Sequence, residues 1–121
     1  MAKEKGLSLT FQIEGKIKEK IYSDLDRLKQ VLLNLLINSI KFTQVGGIEI
    51  TGETPEDKLN LLRISVKDSG VGISNQQRKN LFNPNALFNL QKRQEKGVGF
   101  GLIFCKNIVS YLGPYDKVAS F

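Results

Sequence analysis

The segment from Val31 to Ile40 limits the possible folds of this chain more than any other feature of its sequence. Its residues are all apolar except Asn34, Asn38 and Ser39. A helix with this composition is buried around most of its circumference, so each polar side chain on it needs a partner or a ligand. The sequence therefore predicts a core helix with one polar seam.

The rest of the chain supplies strands and helices in a mixed order. Residues 7–13 alternate between apolar and polar, which predicts a strand, and after Gly15 the pattern continues into the second strand of an opening hairpin. Ser23 followed by Asp26 is typical of a helix start, and the core helix is predicted to end at Phe42. The later predicted elements are strands at 48–51 and 59–67, a short helix at 74–81, a loop at 83–96, a helix at 101–112 and a last strand at 118–121.

This order of elements indicates a single α+β domain over residues 1–121. Hydrophobic residues make up 40% of the chain and charged residues 25%, which is the composition of a folded globular protein. Hairpins are mixed with helices instead of alternating strictly with them. That order favours a two-layer α/β sandwich, in which helices cover one face of a mixed sheet.

Composition also narrows the chemistry. The chain has no histidine, which excludes histidine metal ligands, histidine general bases and an internal phosphohistidine. Its one cysteine, Cys105, lies among apolar residues and is interpreted as a small core residue in a reducing, cytosolic setting. The net charge of +6 is compatible with nucleic acid, acidic lipid, a phosphorylated ligand or a merely solvated basic surface. No apolar stretch approaches the length of a membrane span.

Helical geometry places the polar residues of the core helix on one side. At about 100° per residue they fall within a sector of roughly 80°. They are Arg27, Gln30, Asn34, Asn38 and Lys41. Two amides one turn apart suit a metal ion that carries water and phosphate oxygens, and Lys41 adds positive charge, so the pattern predicts a Mg-triphosphate site. The alternative is that the Asn pair only bonds to neighbouring backbone or specifies helix register.

A second candidate lies where the strand at 59–67 ends. Asp68 has the same parity as Ile64 and Val66, so its carboxylate is predicted to point inward. Gly70 and Gly72 let the backbone approach a flat ligand closely. A carboxylate there accepts a hydrogen bond from the amino group of adenine and repels the carbonyl oxygen of guanine, which predicts ATP rather than GTP. The alternative is an ordinary turn.

The third candidate is a cluster of glycines, Gly97, Gly99 and Gly101, that runs into a helix. Its backbone N–H groups and the positive end of the helix are suited to an anion such as phosphate. The motif lacks the Gly-Lys-Ser/Thr of a Walker loop. A basic stretch that contains Lys92 and Lys96 precedes it, and this stretch is interpreted either as a lid that reaches phosphate or as solvated surface.

Together these motifs resemble the ATP-binding catalytic domain of sensor histidine kinases. Asp26 to Thr43 is similar to the N box, and Asp68 to Ile73 is similar to the first glycine box. Leu81 and Phe82 resemble the first half of the F box, and Gly97 to Leu102 resembles the second glycine box. The motifs follow the family order over nearly the whole chain, so they are specific jointly although each is weak alone.

The resemblance implies a Bergerat-type sandwich, shared with DNA gyrase, MutL and the large heat-shock chaperones, with ATP between the long helix and a flexible lid. It implies that Asn38 is the Mg²⁺ ligand, and that Asn34 and Lys41 are catalytic residues on the phosphate side. Further ATP-binding residues implied are Asp68, which reads adenine, and Gly70, Gly72, Ile73, Phe82, Gly97, Gly99, Gly101 and Leu102. Hydrolytic relatives have a glutamate where Asn34 stands, so transfer to a protein is favoured over hydrolysis.

The same resemblance implies partners and two departures from the family pattern. The phosphoryl acceptor is a histidine on a separate dimerisation domain, a response regulator acts downstream, and neither nucleic acid nor membrane is contacted directly. Asn83 and Asn85 stand in the degraded half of the F box, and the chain ends at Phe121, so we expect a sheet without the last family strand. The alternatives are a non-catalytic nucleotide-binding or dimerisation module and another kinase or ATPase of the superfamily.

Overall fold

The structure is a computed structural model that describes residues 1–15, 17, 22–57, 61–92 and 100–112. The described chain begins with a short 3-10 helix, Lys3–Lys5. The strands are β1 (Ser8–Glu14), β2 (Gly47–Glu53) and β3 (Arg63–Asp68), and the helices are α1 (Leu25–Phe42), α2 (Asn75–Asn80), α3 (Pro84–Lys92) and α4 (Gly101–Leu112). The chain divides into two compact units, residues 1–23 with 35–72 and residues 24–34 with 73–121, and helix α1 contributes to both.

The first unit contains a mixed three-stranded sheet in the order β1-β2-β3. Strand β1 runs parallel to β2, with Leu9 opposite Ile48, and β3 runs antiparallel to β2, with Asp68 opposite Ile48. Two parallel neighbours need a long crossover between them, and the segment that contains α1 supplies it. The predicted hairpin partner of β1 lies largely outside the described residues. The predicted hairpin of β2 and β3 is confirmed.

Helix α1 has a polar cap at each end. The Oδ1 atom of Asp24 accepts hydrogen bonds from the backbone N–H groups of Asp26 and Arg27, both at 3.1 Å. The N-cap is therefore Asp24, and the start predicted from the Ser23 and Asp26 pair is wrong by one residue. At the other end, Lys5 Nζ donates to the carbonyl oxygen of Ile40 at 2.7 Å, which places a positive charge at the negative end of the helix dipole.

The second unit is built from the first part of α1 with α2, α3 and α4. Ser74 caps α2 with a capping box, because its side chain accepts from Gln77 N and the Gln77 side chain accepts from Ser74 N. The predicted short helix at 74–81 and the predicted helix at 101–112 are both confirmed. The predicted last strand at 118–121 lies outside the described residues.

The predicted loop at 83–96 is wrong over its first part, where helix α3 begins at Pro84. Asn83 Oδ1 accepts from the backbone N–H groups of Asn85 and Ala86, at 3.1 Å and 3.3 Å. Proline is suited to the first position of a helix, where its missing N–H costs nothing. The Asn-Pro pair is therefore a helix start in this chain and not part of a loop.

Each unit has its own buried residues. In the first unit they include Leu7, Ile48, Ser39 and Thr43. In the second unit they are the apolar residues Val31 and Leu87 together with Cys105 and Ile108 of helix α4. The interpretation of Cys105 as a core residue is confirmed, because its side chain is fully buried, with 0% of its surface exposed.

Candidate functional site

Two predicted site residues, the Mg²⁺ ligand Asn38 and the phosphate-side residue Lys41, lie near the end of helix α1. Asn38 is half-buried, and within the described part of the chain no group forms a hydrogen bond with its carboxamide. Lys41 is exposed, and its Nζ atom lies 5.3 Å from the centroid of the Phe42 ring, within the range of a cation–π contact. The Asn38 amide therefore has its full bonding capacity available for a ligand.

Asp68 ends strand β3 in a tight turn. The alternation of half-buried and exposed residues predicted for this strand holds for Ile64 and Val66, but Asp68 itself is exposed, so the inward direction predicted for it is wrong. Its Oδ1 atom accepts a hydrogen bond from Gly70 N at 2.9 Å, which is the turn chemistry proposed as the alternative. Asp68 is the last residue of the strand, and the alternation of exposed and half-buried residues ends before it.

Gly70 lies against the end of helix α1. A Cβ atom at this position would lie 2.7 Å from the Phe42 carbonyl oxygen and 2.7 Å from Asp68 Oδ1, and no real Cβ comes this close. The neighbouring Val71 N–H donates to the same Phe42 oxygen at 3.4 Å. The turn that carries Asp68 therefore closes onto the C-terminus of the helix that carries Asn38 and Lys41. The role of the Phe42 carbonyl could not be predicted, because the sequence does not show which backbone atoms meet.

Ser69 fixes the position of this turn. Its Oγ atom accepts from Gly47 N at 2.9 Å and donates to the Val45 carbonyl oxygen at 2.9 Å. Its own backbone N–H donates to the Gly47 carbonyl oxygen at 3.1 Å. These bonds attach the turn to the loop between α1 and β2, so Asp68 and Gly70 are held by the sheet as well as by the helix.

Asn34, one helical turn before Asn38, is bonded differently. Its Nδ2 atom donates to the Gly101 carbonyl oxygen at 2.7 Å and to Cys105 Sγ at 3.2 Å. Gly101 is close enough that a Cβ there would lie 2.7 Å from both amide heavy atoms of Asn34. For this residue the alternative of a hydrogen bond to neighbouring backbone is confirmed. Gly101 and Cys105 are four residues apart on α4 and therefore lie on the same face of the helix. This spacing is the only sequence signal that both residues could contact one side chain.

The thiol of Cys105 belongs to the same cluster. Its Sγ atom lies 3.9 Å from the Val31 carbonyl oxygen, to which it donates. Burial raises the pKa of the Cys105 thiol, and the hydrogen bond from Asn34 lowers it by a smaller amount. The group is therefore a neutral thiol at physiological pH. Among the described residues no three His, Cys, Asp or Glu side chains gather as a metal site.

The other predicted site residues are distributed over both units. Gly72 has a φ of 72°, which favours glycine, and it is exposed. Ile73, Phe82 and Leu102 are half-buried, and Lys106 Nζ lies 5.2 Å from the centroid of the Phe82 ring. Gly97 and Gly99 lie outside the described residues. None of the helices that the structure describes is both long and apolar enough to span a membrane.

The family to which this chain belongs is shown by a match to a family model. The model of the histidine kinase-, DNA gyrase B- and HSP90-like ATPase family matches residues 23–118, which contain the helix α1 amides, the Asp68 turn and the start of helix α4. The chain belongs to this ATPase family. The family resemblance predicted from the N box and the two glycine boxes is therefore confirmed.

Relatives of this ATPase-family chain include a hybrid signal transduction protein and a sensor histidine kinase. The hybrid signal transduction protein dokA of Dictyostelium discoideum is 36% identical over 124 residues, which covers 98% of this chain and 7% of that protein. The sensor histidine kinase GacS of Pseudomonas protegens is 42% identical over 91 residues, which covers 72% of this chain and 10% of that protein. The chain thus spans a small part of the relatives that it matches.

Solved structures show the same fold. The full-length structure of ShkA in complex with AMPPNP matches with a TM-score of 0.73 and 28% identity, covering 90% of this chain and 21% of that one. The catalytic domain of the histidine kinase ThkA matches with a TM-score of 0.69 and 28% identity, covering 91% of this chain and 68% of that one. The predicted fold class is confirmed, because helices with a mixed sheet match histidine kinase catalytic domains.

Proposed function

We propose that this chain is the catalytic domain of a histidine kinase, which binds Mg-ATP and donates the γ-phosphoryl group to a histidine on a separate domain. The observation that carries the proposal is the state of Asn38. Its carboxamide is half-buried on helix α1, and no described residue bonds to it. A half-buried amide without a partner in the described residues has its oxygen and both N–H groups available, and this supports a ligand at this position of the helix.

The residues around Asn38 are compatible with Mg²⁺ and triphosphate. An amide oxygen is a suitable ligand for a hard cation that keeps most of its water, and Lys41, one turn further, offsets phosphate charge. A bound Mg²⁺ would neutralise charge on the transferring phosphoryl group. The part of this chain is to hold and orient the triphosphate, and positioning accounts for most of the rate in such reactions.

The Asp68 turn supports adenine as the base. Asp68 is exposed at the end of β3, and only its Oδ1 atom has a described partner, the Gly70 N–H. Its Oδ2 atom can accept a hydrogen bond from the amino group of adenine. Guanine would place a carbonyl oxygen against the carboxylate. ATP is therefore the proposed nucleotide.

The proposed partners follow from the composition and from the relatives. The chain has no histidine, so the acceptor lies on another domain, for which we propose the dimerisation domain of a dimeric kinase. Relatives named as hybrid signal transduction proteins support a response regulator as the next acceptor. We also propose a cytoplasmic location, where ATP is available.

Asn34 cannot act as a general base because an amide does not take up a proton, and this supports transfer over hydrolysis.

Titration with ATP and GTP, each with and without Mg²⁺, tests the proposal on the parent chain and two variants. Asn38→Ala should remove most of the gain in ATP affinity that Mg²⁺ provides, a loss of about tenfold or more, which corresponds to ~1.4 kcal/mol. Asp68→Asn should reduce the preference for ATP over GTP by about tenfold or more. Binding by both variants that equals the parent's would overturn the site assignment.

Matched controls separate the site from general effects of the substitutions. Asn107→Ala removes an exposed asparagine side chain from helix α4, and Asp57→Asn neutralises an exposed carboxylate in a turn. Both should bind ATP as the parent does. Binding of ATP by the parent without Mg²⁺ dependence would favour a non-catalytic nucleotide-binding module over a kinase domain.

A further inference from the structure

The two N–H hydrogens of the Asn34 side chain are both used by helix α4. Nδ2 donates one to the Gly101 carbonyl oxygen at 2.7 Å and the other to Cys105 Sγ at 3.2 Å. No described residue donates to Asn34 Oδ1. The Asn34 amide can thus only accept a further hydrogen bond, because both of its N–H groups are used. The Asn38 amide, one turn later, can still both donate and accept.

The Gly101 carbonyl oxygen permits only one orientation of this amide. If the carboxamide were rotated by half a turn, Oδ1 would face this carbonyl oxygen, and two acceptors repel each other. The close approach requires glycine, because a Cβ at Gly101 would lie 2.7 Å from Asn34 Nδ2 and from Oδ1. A 2.7 Å contact between an amide nitrogen and a carbonyl oxygen identifies the nitrogen, so the assignment rests on chemistry.

The sulfur of Cys105 can accept the second hydrogen bond of the Asn34 amide. Its side chain is 0% exposed, and its own S–H is directed to the Val31 carbonyl oxygen 3.9 Å away. The sulfur lone pairs are then available to accept from Asn34. Burial also keeps the thiol protonated, since it raises the pKa of Cys105. The hydrogen bonds from Asn34 to Cys105 and from Cys105 to Val31 thus connect the amide to another residue of its own helix, α1.

We propose that Cys105 is a positioning residue that, with the Gly101 carbonyl, holds Asn34 with its oxygen as the only free polar atom. The consequence for the ligand rests on the proposed function of Mg-ATP binding. An oxygen that only accepts cannot bind phosphate oxygens, which are acceptors too, but it can bind a metal ion or a metal-bound water. Asn34 therefore acts on the metal side of Mg-ATP, and Cys105 acts through Asn34.

Nuclear magnetic resonance of the side-chain amides tests the orientation without any nucleotide. In ¹⁵N-labelled protein, Asn34→Asp identifies the Asn34 cross-peaks by their loss. We expect both hydrogens of the parent to exchange with water far more slowly than those of exposed Asn107. Exchange as fast as that of Asn107 would overturn the orientation, and this comparison needs no variant that alters folding.

Two substitutions at Cys105 test its part in holding the amide. Cys105→Ala should shift one of the two hydrogen resonances of Asn34 and speed its exchange, because the acceptor is gone. Cys105→Ser should keep both resonances close to their parent positions, because a hydroxyl also accepts one hydrogen bond and donates another. Identical Asn34 cross-peaks in the parent and in Cys105→Ala would overturn the positioning role.

ATP titration of the same variants tests the functional consequence. Cys105→Ala should reduce the gain in ATP affinity from Mg²⁺ by about three- to tenfold and leave the affinity in EDTA unchanged, while Cys105→Ser restores the gain. A loss of equal size with and without Mg²⁺, or no loss, would overturn the proposal. If the parent shows no Mg²⁺-dependent ATP binding, the proposed function fails and the metal-side role fails with it, but the resonance data still decide the orientation of Asn34.

Discussion

Thr43, which follows helix α1, has a hydroxyl that costs stability. The residue is 0% exposed, and its Oγ1 atom has no hydrogen-bond partner in the described part of the chain. Valine has nearly the same shape and no hydroxyl, so Thr43→Val should raise the free energy of unfolding by about 1 kcal/mol. Urea denaturation measures the change, with Thr10→Val on the exposed strand β1 as the control. Destabilisation by Thr43→Val would show that Oγ1 has a partner.

The thiol of Cys105 makes stability depend on alkaline pH. Burial raises its pKa in the folded chain above that in the unfolded chain. The neutral thiol therefore stabilises the folded chain fully below the thiol pKa of the unfolded chain, which is about 8.5. This stabilisation is lost as the pH rises through the pKa of the thiol in the folded chain. Unfolding free energies measured between pH 7 and 10 should fall more steeply for the parent than for Cys105→Ser. Equal slopes would contradict the burial of a neutral thiol.

The turn after strand β3 provides a test of how an element is held in place. Gly70 and Gly72 belong to the same motif but differ in surroundings, since a Cβ at Gly70 meets the Phe42 carbonyl oxygen at 2.7 Å and a Cβ at Gly72 meets nothing within 4 Å. Gly72→Ala should cost about 1 kcal/mol from its positive φ alone. Gly70→Ala should cost about 3 kcal/mol, because a backbone carbonyl must move.

Thermal or urea unfolding without nucleotide distinguishes these two variants, and Gly72→Ala is the matched control for Gly70→Ala. Equal destabilisation would mean that the turn does not close onto helix α1 as described. A second readout is the amide hydrogen exchange of Val71, whose N–H donates to the Phe42 carbonyl oxygen. Its exchange should accelerate in Gly70→Ala and remain near the parent rate in Gly72→Ala.

Helix α3 shows how a local signal can be misinterpreted. Asn83 and Pro84 were interpreted as the degraded half of a family motif in a loop, although asparagine before proline is also a strong helix start. The structure uses the second possibility, with Asn83 Oδ1 accepting from Asn85 N and Ala86 N. The departure from the family sequence therefore coincides with a capped helix.

This chain of 121 residues should be unable to phosphorylate itself on histidine. It has no histidine, so incubation with γ-labelled ATP should leave no acid-labile label on it. Addition of the histidine-bearing dimerisation domain of a related histidine kinase should produce label on that domain, because the chain supplies the bound ATP. Asn38→Ala should abolish this label, and Asn107→Ala should not. ATP binding with no transfer to any such domain would favour the non-catalytic alternative.

Most helices and strands could be predicted from the sequence, because helix caps and hydrophobic periodicity depend on residues that are close together in the sequence. Helix α1, the hairpin of β2 and β3, helix α2 and helix α4 were predicted within a few residues. The family also followed from the order of the N box and the two glycine boxes. The N-cap of α1 at Asp24 was missed because the adjacent Ser23 is also a suitable cap residue, and α3 was missed because its Asn-Pro start was interpreted as loop.

Contacts between distant residues were beyond the reach of the sequence. Asn34 and Asn38 have the same side chain on the same seam, yet Asn34 is tied to Gly101, 67 residues away, and Asn38 is free among the described residues. Likewise, the Phe42 carbonyl meets Gly70, and strand β1 pairs in parallel with β2 across a crossover. Residue type and spacing predicted which side chains could bind a nucleotide. Packing decided which of their atoms remain available, because a hydrogen-bond donor committed to the backbone is no longer available to a ligand.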